Sequence, residues 1–161
     1  MPPTPDSARV TAPPDVGACA PHLLRRRVRL VRRHLGPGPY LDYGCGRGEL
    51  LALLATRGSV TGFVAEPALA ELARAAAPGC PVHTNPEALP AGVFRGILAV
   101  TTTPPSATTL ATWRHVLVAR GRVLLVGAAP DRPDGFVTRW AGREGWRRGA
   151  AVVVLQAAEG G

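Results

Sequence analysis

The stretch YLDYGCGRGELLALL, residues 40–54, sets three glycines at alternate positions, Gly44, Gly46 and Gly48, between a short apolar run and a helical pattern. Glycine at such a junction lets the chain take backbone angles closed to other residues, and lets a ligand come close to main-chain atoms. The stretch therefore reads as strand, ligand loop and helix. Many ligands use that arrangement, so the spacing and the neighbouring segments have to separate them.

Working outward, apolar runs alternate with helical patterns. YLDYG (40–44) reads as a first strand and GELLALLATRG (48–58) as a helix stopped by Gly58; VTGFVAE (60–66) is a second strand. PALAELARAAAPG (67–79) is a helix with proline at its start and glycine at its end, where each is preferred. PVHTN (81–85) and FRGILAV (94–100) are strands, ATTLATWRHVLVARG (107–121) a helix and RVLLVGAA (122–129) a buried strand. GFVTRWAGR and AAVVVLQAA are joined only by EGWRRG, too short for a crossover helix, and predict a terminal antiparallel hairpin. The pattern is α/β: a Rossmann-like, doubly wound, mostly parallel sheet ending in that hairpin.

The chain has 161 residues, 46% hydrophobic and 19% charged, enough for one domain with a real core. Residues 1–20 read as a proline-rich tail without fixed structure and 21–161 as a single domain. No basic start with an apolar run opens the chain and no stretch reaches the length of a bilayer span, so a cytoplasmic, non-membrane protein is expected. Cys19, Cys45 and Cys80 have no Cys-x-x-Cys spacing, which speaks against a zinc site or a disulfide framework and predicts free thiols and no metal. All 19 basic residues are arginine. Without lysine there is no Walker-type phosphate loop and no Schiff-base lysine.

Of the net charge of +8, six units lie in PHLLRRRVRLVRRHL (21–35), which has six arginines and no acid. Leu24, Val28, Val31 and Leu35 recur at helical spacing, giving an amphipathic helix with an arginine face. That face suits plain solvation, an RNA or other anionic partner, or a membrane surface. In the hairpin, Trp140 and Trp146 alternate with Arg139, Arg143, Arg147 and Arg148, which suits either core packing or stacking and phosphate contact with RNA.

A dinucleotide fingerprint beginning at Gly44 would need glycine at position 49, where Glu49 sets an anion beside the pyrophosphate. The segment LDYGCGRGELL instead resembles the first motif of the class I S-adenosylmethionine-dependent methyltransferases, acidic-x-Gly-x-Gly-x-Gly, in Asp42, Gly44, Gly46 and Gly48. The similarity extends over most of residues 21–129, with VTGFVAEP, NPEALPAGVFRGI and ATWRHVLVARGRVLLVG in the order of the later family segments. It implies S-adenosyl-L-methionine as cofactor, held by Asp42, Gly44, Cys45, Gly46 and Gly48, and methyl transfer to an acceptor that is a small molecule or presented by a partner.

The resemblance also implies an acid on the ribose hydroxyls at the end of the second strand. Val64 falls there, and Glu66, two residues on along an extended strand, is the substitute expected. Asn85 falls where relatives accept from the adenine amine, and its amide oxygen accepts the same bond. The loop TTTPPS (101–106) carries no acid, histidine or aromatic ring, so no catalytic residue is assigned; His83 and His115 are either general bases or structural histidines. A non-catalytic binding module with the same loop, and an RNA-binding or RNA-modifying protein using the arginine helix, remain alternatives. Oligomeric state is open.

Overall fold

The computed structural model describes residues 20–131, 133–143 and 150–158. The proline-rich stretch 1–19, with Cys19, and the hairpin turn with Trp146, Arg147 and Arg148 lie outside them. In order come α1 (Pro21–Leu35), β1 (Tyr40–Tyr43), α2 (Glu49–Ala55), β2 (Val60–Phe63), α3 (Pro67–Ala76), β3 (Val82–His83), β4 (Phe94–Thr101), α4 (Ala107–Val116), β5 (Leu117–Gly127), β6 (Phe136–Arg143) and β7 (Ala151–Ala157). A single 3-10 turn, Pro86–Ala88, follows β3.

The strands form one sheet in the order β3-β2-β1-β4-β5-β7-β6. β1 to β5 pair in parallel, and β7 enters antiparallel between β5 and β6. Alternation along β1 divides the core: Tyr40 belongs to the cluster formed with α1, α2 and α3, Leu41 to the cluster around Trp113 of α4. The stripe on α1 behaves as its periodicity predicts, with Val31 and Leu35 buried and Leu24 and Val28 partly so. Leu35 lies so close to Gly96 of β4 that a Cβ there would stand 2.9 Å from the leucine side chain. A glycine in the strand thus sets how near α1 approaches the sheet.

Two element boundaries differ from the sequence expectation. The helix expected over 107–121 ends at Val116, because Gly92 N and Val93 N donate to the carbonyls of His115 and Val116, each at 2.9 Å. Those carbonyls are satisfied by the approach to β4, and Leu117 goes on to pair with Phe94. The next regular pair is Gly96 with Arg122, so residues 118–121 bulge out opposite Arg95, with Arg120 at φ 61°. The second strand, expected to reach residue 66, ends at Phe63, since its neighbour β3 supplies only two residues to pair with it.

Candidate functional site

The glycine loop leaves β1 at the carboxyl end of the parallel strands, and all three of its glycines have positive φ: 88° at Gly44, 53° at Gly46 and 88° at Gly48. They serve different ends. A Cβ on Gly48 would stand 2.7 Å from Ala73 Cα, so this glycine permits close packing of the loop on α3. At Gly44 and Gly46 nothing lies within 4 Å of the Cβ position, and the space above the backbone is open. Three loop amides are engaged inside the protein. Gly44 N and Cys45 N donate to Phe63 O at 2.7 and 3.0 Å, and Gly48 N donates to Cys45 O at 2.9 Å.

Beside this loop is a cavity of about 300 Å³, lined by Asp42, Gly44, Cys45 and Gly46 together with Leu24 and Arg27 of α1, Leu69 of α3 and Thr102 of the loop after β4. Asp42, in the middle of the sheet between Gly62 and Leu98, is only 3% exposed, and its Oδ2 has no hydrogen-bond partner among the described residues. A buried carboxylate oxygen without a donor is costly to keep charged. Burial pushes its pKa up to about 7, and the positive charge of Arg27 holds it from rising further. Cys45 is buried over Gly62, where a Cβ would come 3.0 Å from its Sγ. Burial, and then the charge of Asp42, push its thiol up to about 12. It is a packing residue and not a nucleophile.

The structure brings Asp42, Gly44, Cys45 and Gly46 to one cavity, with Gly48 as the hinge into α2. Glu66 and Asn85 are not among the residues lining it. Because β2 stops at Phe63, Glu66 is not on a strand face; it is the exposed residue preceding α3. Asn85 is exposed, and its Oδ1 accepts from Glu87 N at 3.0 Å, capping the 3-10 turn. Val64 is buried in the core at 7% exposure, and its N–H donates to His83 O. His115 is exposed in the last turn of α4, beside Gly92 at the amino end of β4, so it stands at the opposite end of the sheet from the cavity. His83 is half-buried at the end of β3 and does not line the cavity.

Arg27, Leu24 and Thr102 were not anticipated from the sequence. The signal was faint: Arg27 is three residues, one helical step, from Leu24 of the apolar stripe of α1. Ser106, in the loop after β4, caps α4 by accepting from Thr109 N at 3.1 Å. Thr101 Oγ1 donates to Ala128 O at 3.2 Å, tying the start of that loop to the end of β5. Among the described residues no cluster of metal-ligating side chains is found, and no helix is long and apolar enough to cross a membrane.

No protein-family model matches the sequence, and no curated protein matches it by sequence. Solved structures do match the fold. Ribosomal protein L11 methylase from Lactobacillus delbrueckii subsp. bulgaricus superimposes with a TM-score of 0.71 at 13% identity, over 91% of this chain and 83% of that one. A TehB-like SAM-dependent methyltransferase from Corynebacterium glutamicum gives 0.65 at 19% identity, over 89% and 90%. The [4+2]-cyclase SpnF gives 0.67 at 13%, over 85% and 82%. The protein has the class I methyltransferase fold, and SpnF's name marks that fold as host to more than one chemistry.

Proposed function

We propose that this protein binds S-adenosyl-L-methionine in the Asp42 cavity and transfers its methyl group to an acceptor presented at the cavity mouth. The observation that carries this is the buried, donor-less Oδ2 of Asp42 next to two glycines whose Cβ positions are open space. A cationic ammonium satisfies that oxygen, and the missing side chains leave room for the rest of the molecule. When bound, the cofactor supplies a methyl group on a positively charged sulfur, ready for in-line displacement by a nucleophile. The chain's part is to position: Asp42 for the amino group, Arg27 for a carboxylate, Leu24 and Leu69 for apolar walls. Displacement at a sulfonium depends more on such positioning than on acid or base catalysis, which fits a cavity without a histidine. Glu66 on the ribose and Asn85 on the adenine remain proposals; both are exposed, and Asn85 has already committed one lone pair to its cap.

Calorimetry with S-adenosyl-L-methionine tests this, and no heat at millimolar ligand would overturn it. A second reading, a binding module that keeps the loop without transferring a methyl group, is favoured by Val64, which lies in the core where the family resemblance implies a ribose-holding acid. Binding without turnover on any acceptor tried would select that reading.

A further inference from the structure

The arginines of α1 are ordered on its surface. Arg25, Arg29 and Arg32 follow one another at steps of four and three residues, the spacing of a single helix face, and all are exposed. They line a groove of about 290 Å³ with Arg57 from the turn after α2 and with Val28, Leu53 and Thr56; among the described residues no carboxylate lines it. Arg33 continues the row from Arg29 and Arg32 toward the carboxyl end of the helix. There a second cavity, of about 570 Å³, is lined by Arg120, Arg122, Arg139, His34 and Trp140, again without an acid among the described residues. Arg122 Nη1 donates to His34 O at 3.0 Å and Arg139 Nε to Gln156 Oε1 at 2.8 Å, which fixes both guanidiniums in place. At the amino end of α1, Arg27 lines the Asp42 cavity with Arg47 of the glycine loop and Glu49 of α2, across the apolar stripe from this row. The exposed basic groups thus form a track along the outer face of α1.

We propose that this track binds single-stranded nucleic acid, with phosphates along the arginine row of α1. A row of guanidiniums without intervening acids matches a polymer of evenly repeated anions. Leu53, exposed beside the charges, offers a base an apolar surface. A membrane surface is a poor fit, because the apolar stripe of α1 is spent on the protein core and leaves nothing to insert. Trp140 contributes no stacking platform: His34 lies against it, tilted by 32° at 4.6 Å between centroids, and its ring packs so tightly on Gly142 that a Cβ there would lie 2.3 Å away. That the strand is also the methyl acceptor rests on the cofactor assignment above; that it binds does not.

The test is fluorescence anisotropy of the full chain with a labelled poly(U) RNA of about 20 nucleotides, at salt from roughly 50 to 200 mM. The expected result is affinity falling at least ~10-fold over that range, and a triple variant R25Q/R29Q/R32Q whose salt slope is shallower by about 2. Calorimetry with S-adenosyl-L-methionine on the same variant should give the unaltered affinity, since none of the three lines the Asp42 cavity. Should the triple variant fail to fold, R57Q alone carries the test, with a loss of about threefold or more expected. No RNA binding at low salt, binding unchanged in the variants, or tighter binding to anionic vesicles or to duplex of equal length overturns the proposal. RNA binding without cofactor binding overturns the assignment of the Asp42 cavity and leaves the track standing.

Discussion

Arg27, on the first helix, and Asp42, on the first strand, wall the same cavity, and the arginine's charge partly offsets the upward push that burial gives the carboxyl. Fifteen positions apart in sequence, they form a cation and an anion suited to the two ends of an amino acid. Arg27→Gln removes the offset, so the Asp42 midpoint should rise above about 7. Carboxyl carbon chemical shifts followed across a pH titration would check this. A midpoint at or below the wild-type value means the two do not interact.

The raised carboxyl also has a consequence for stability. In the unfolded chain Asp42 ionises near 3.8 and in the folded protein near 7, so the folded state holds its proton more tightly. The group therefore costs little at pH 4, and its cost grows as pH rises between those values and is complete above 7. Asp42→Asn should stabilise the protein by about 1–3 kcal/mol at pH 8 and hardly at all at pH 4, while weakening cofactor binding. Urea unfolding at both pH values measures the difference; an equal effect at both would show that burial does not strain this carboxyl.

Gly48 and Gly44 share a φ of 88° but not their surroundings. Gly48→Ala meets the backbone of α3 as well as an unfavourable angle and should cost about 2–4 kcal/mol. Gly44→Ala meets only the angle, at about 1–2 kcal/mol, and projects a methyl group into the open space above the loop. Thermal melts should rank Gly48→Ala as the less stable, whereas calorimetry should find Gly44→Ala the more damaging to ligand binding per unit of stability lost. The reverse order in melting would mean the contact with Ala73 is readily relieved.

Cys45 and Cys80 should separate in a thiol-reagent assay. Cys45 is buried with its thiol pushed up to about 12, and Cys80 is half-buried. At pH 8 in native buffer, Cys80 should react first and Cys45 only on unfolding, with mass spectrometry locating the label. Rapid native labelling of Cys45 would contradict its packing over Gly62.

Glu66→Ala tests the proposed role of this residue at the ribose. Glu66 is exposed at the start of α3 and outside the cavity lining, so stability should change by less than about 0.5 kcal/mol. A loss of cofactor affinity of ~10-fold or more would place the carboxylate on the ligand, and an unchanged affinity would remove it from the site.

The sequence by itself determined the alternation of strands and helices, the glycine loop after β1, the inward stripe of α1 and the antiparallel close of the sheet. Each is written in local terms: hydrophobic period, turn residues, and a connection too short for a helix. The tertiary structure decided the rest. α4 ends at Val116 because residues 92 and 93, distant in sequence, take its last carbonyls. Glu66 leaves the strand face because β3 is too short to extend β2, and His115 falls at the far end of the sheet because α4 runs back along it. Arg27 and Asp42 wall one cavity because α1 lies over the sheet, an approach that Leu35 makes at Gly96. Asp42 could be found in a motif, but its elevated pKa and its arginine neighbour arise from burial and from contacts between separate segments, which no local pattern encodes.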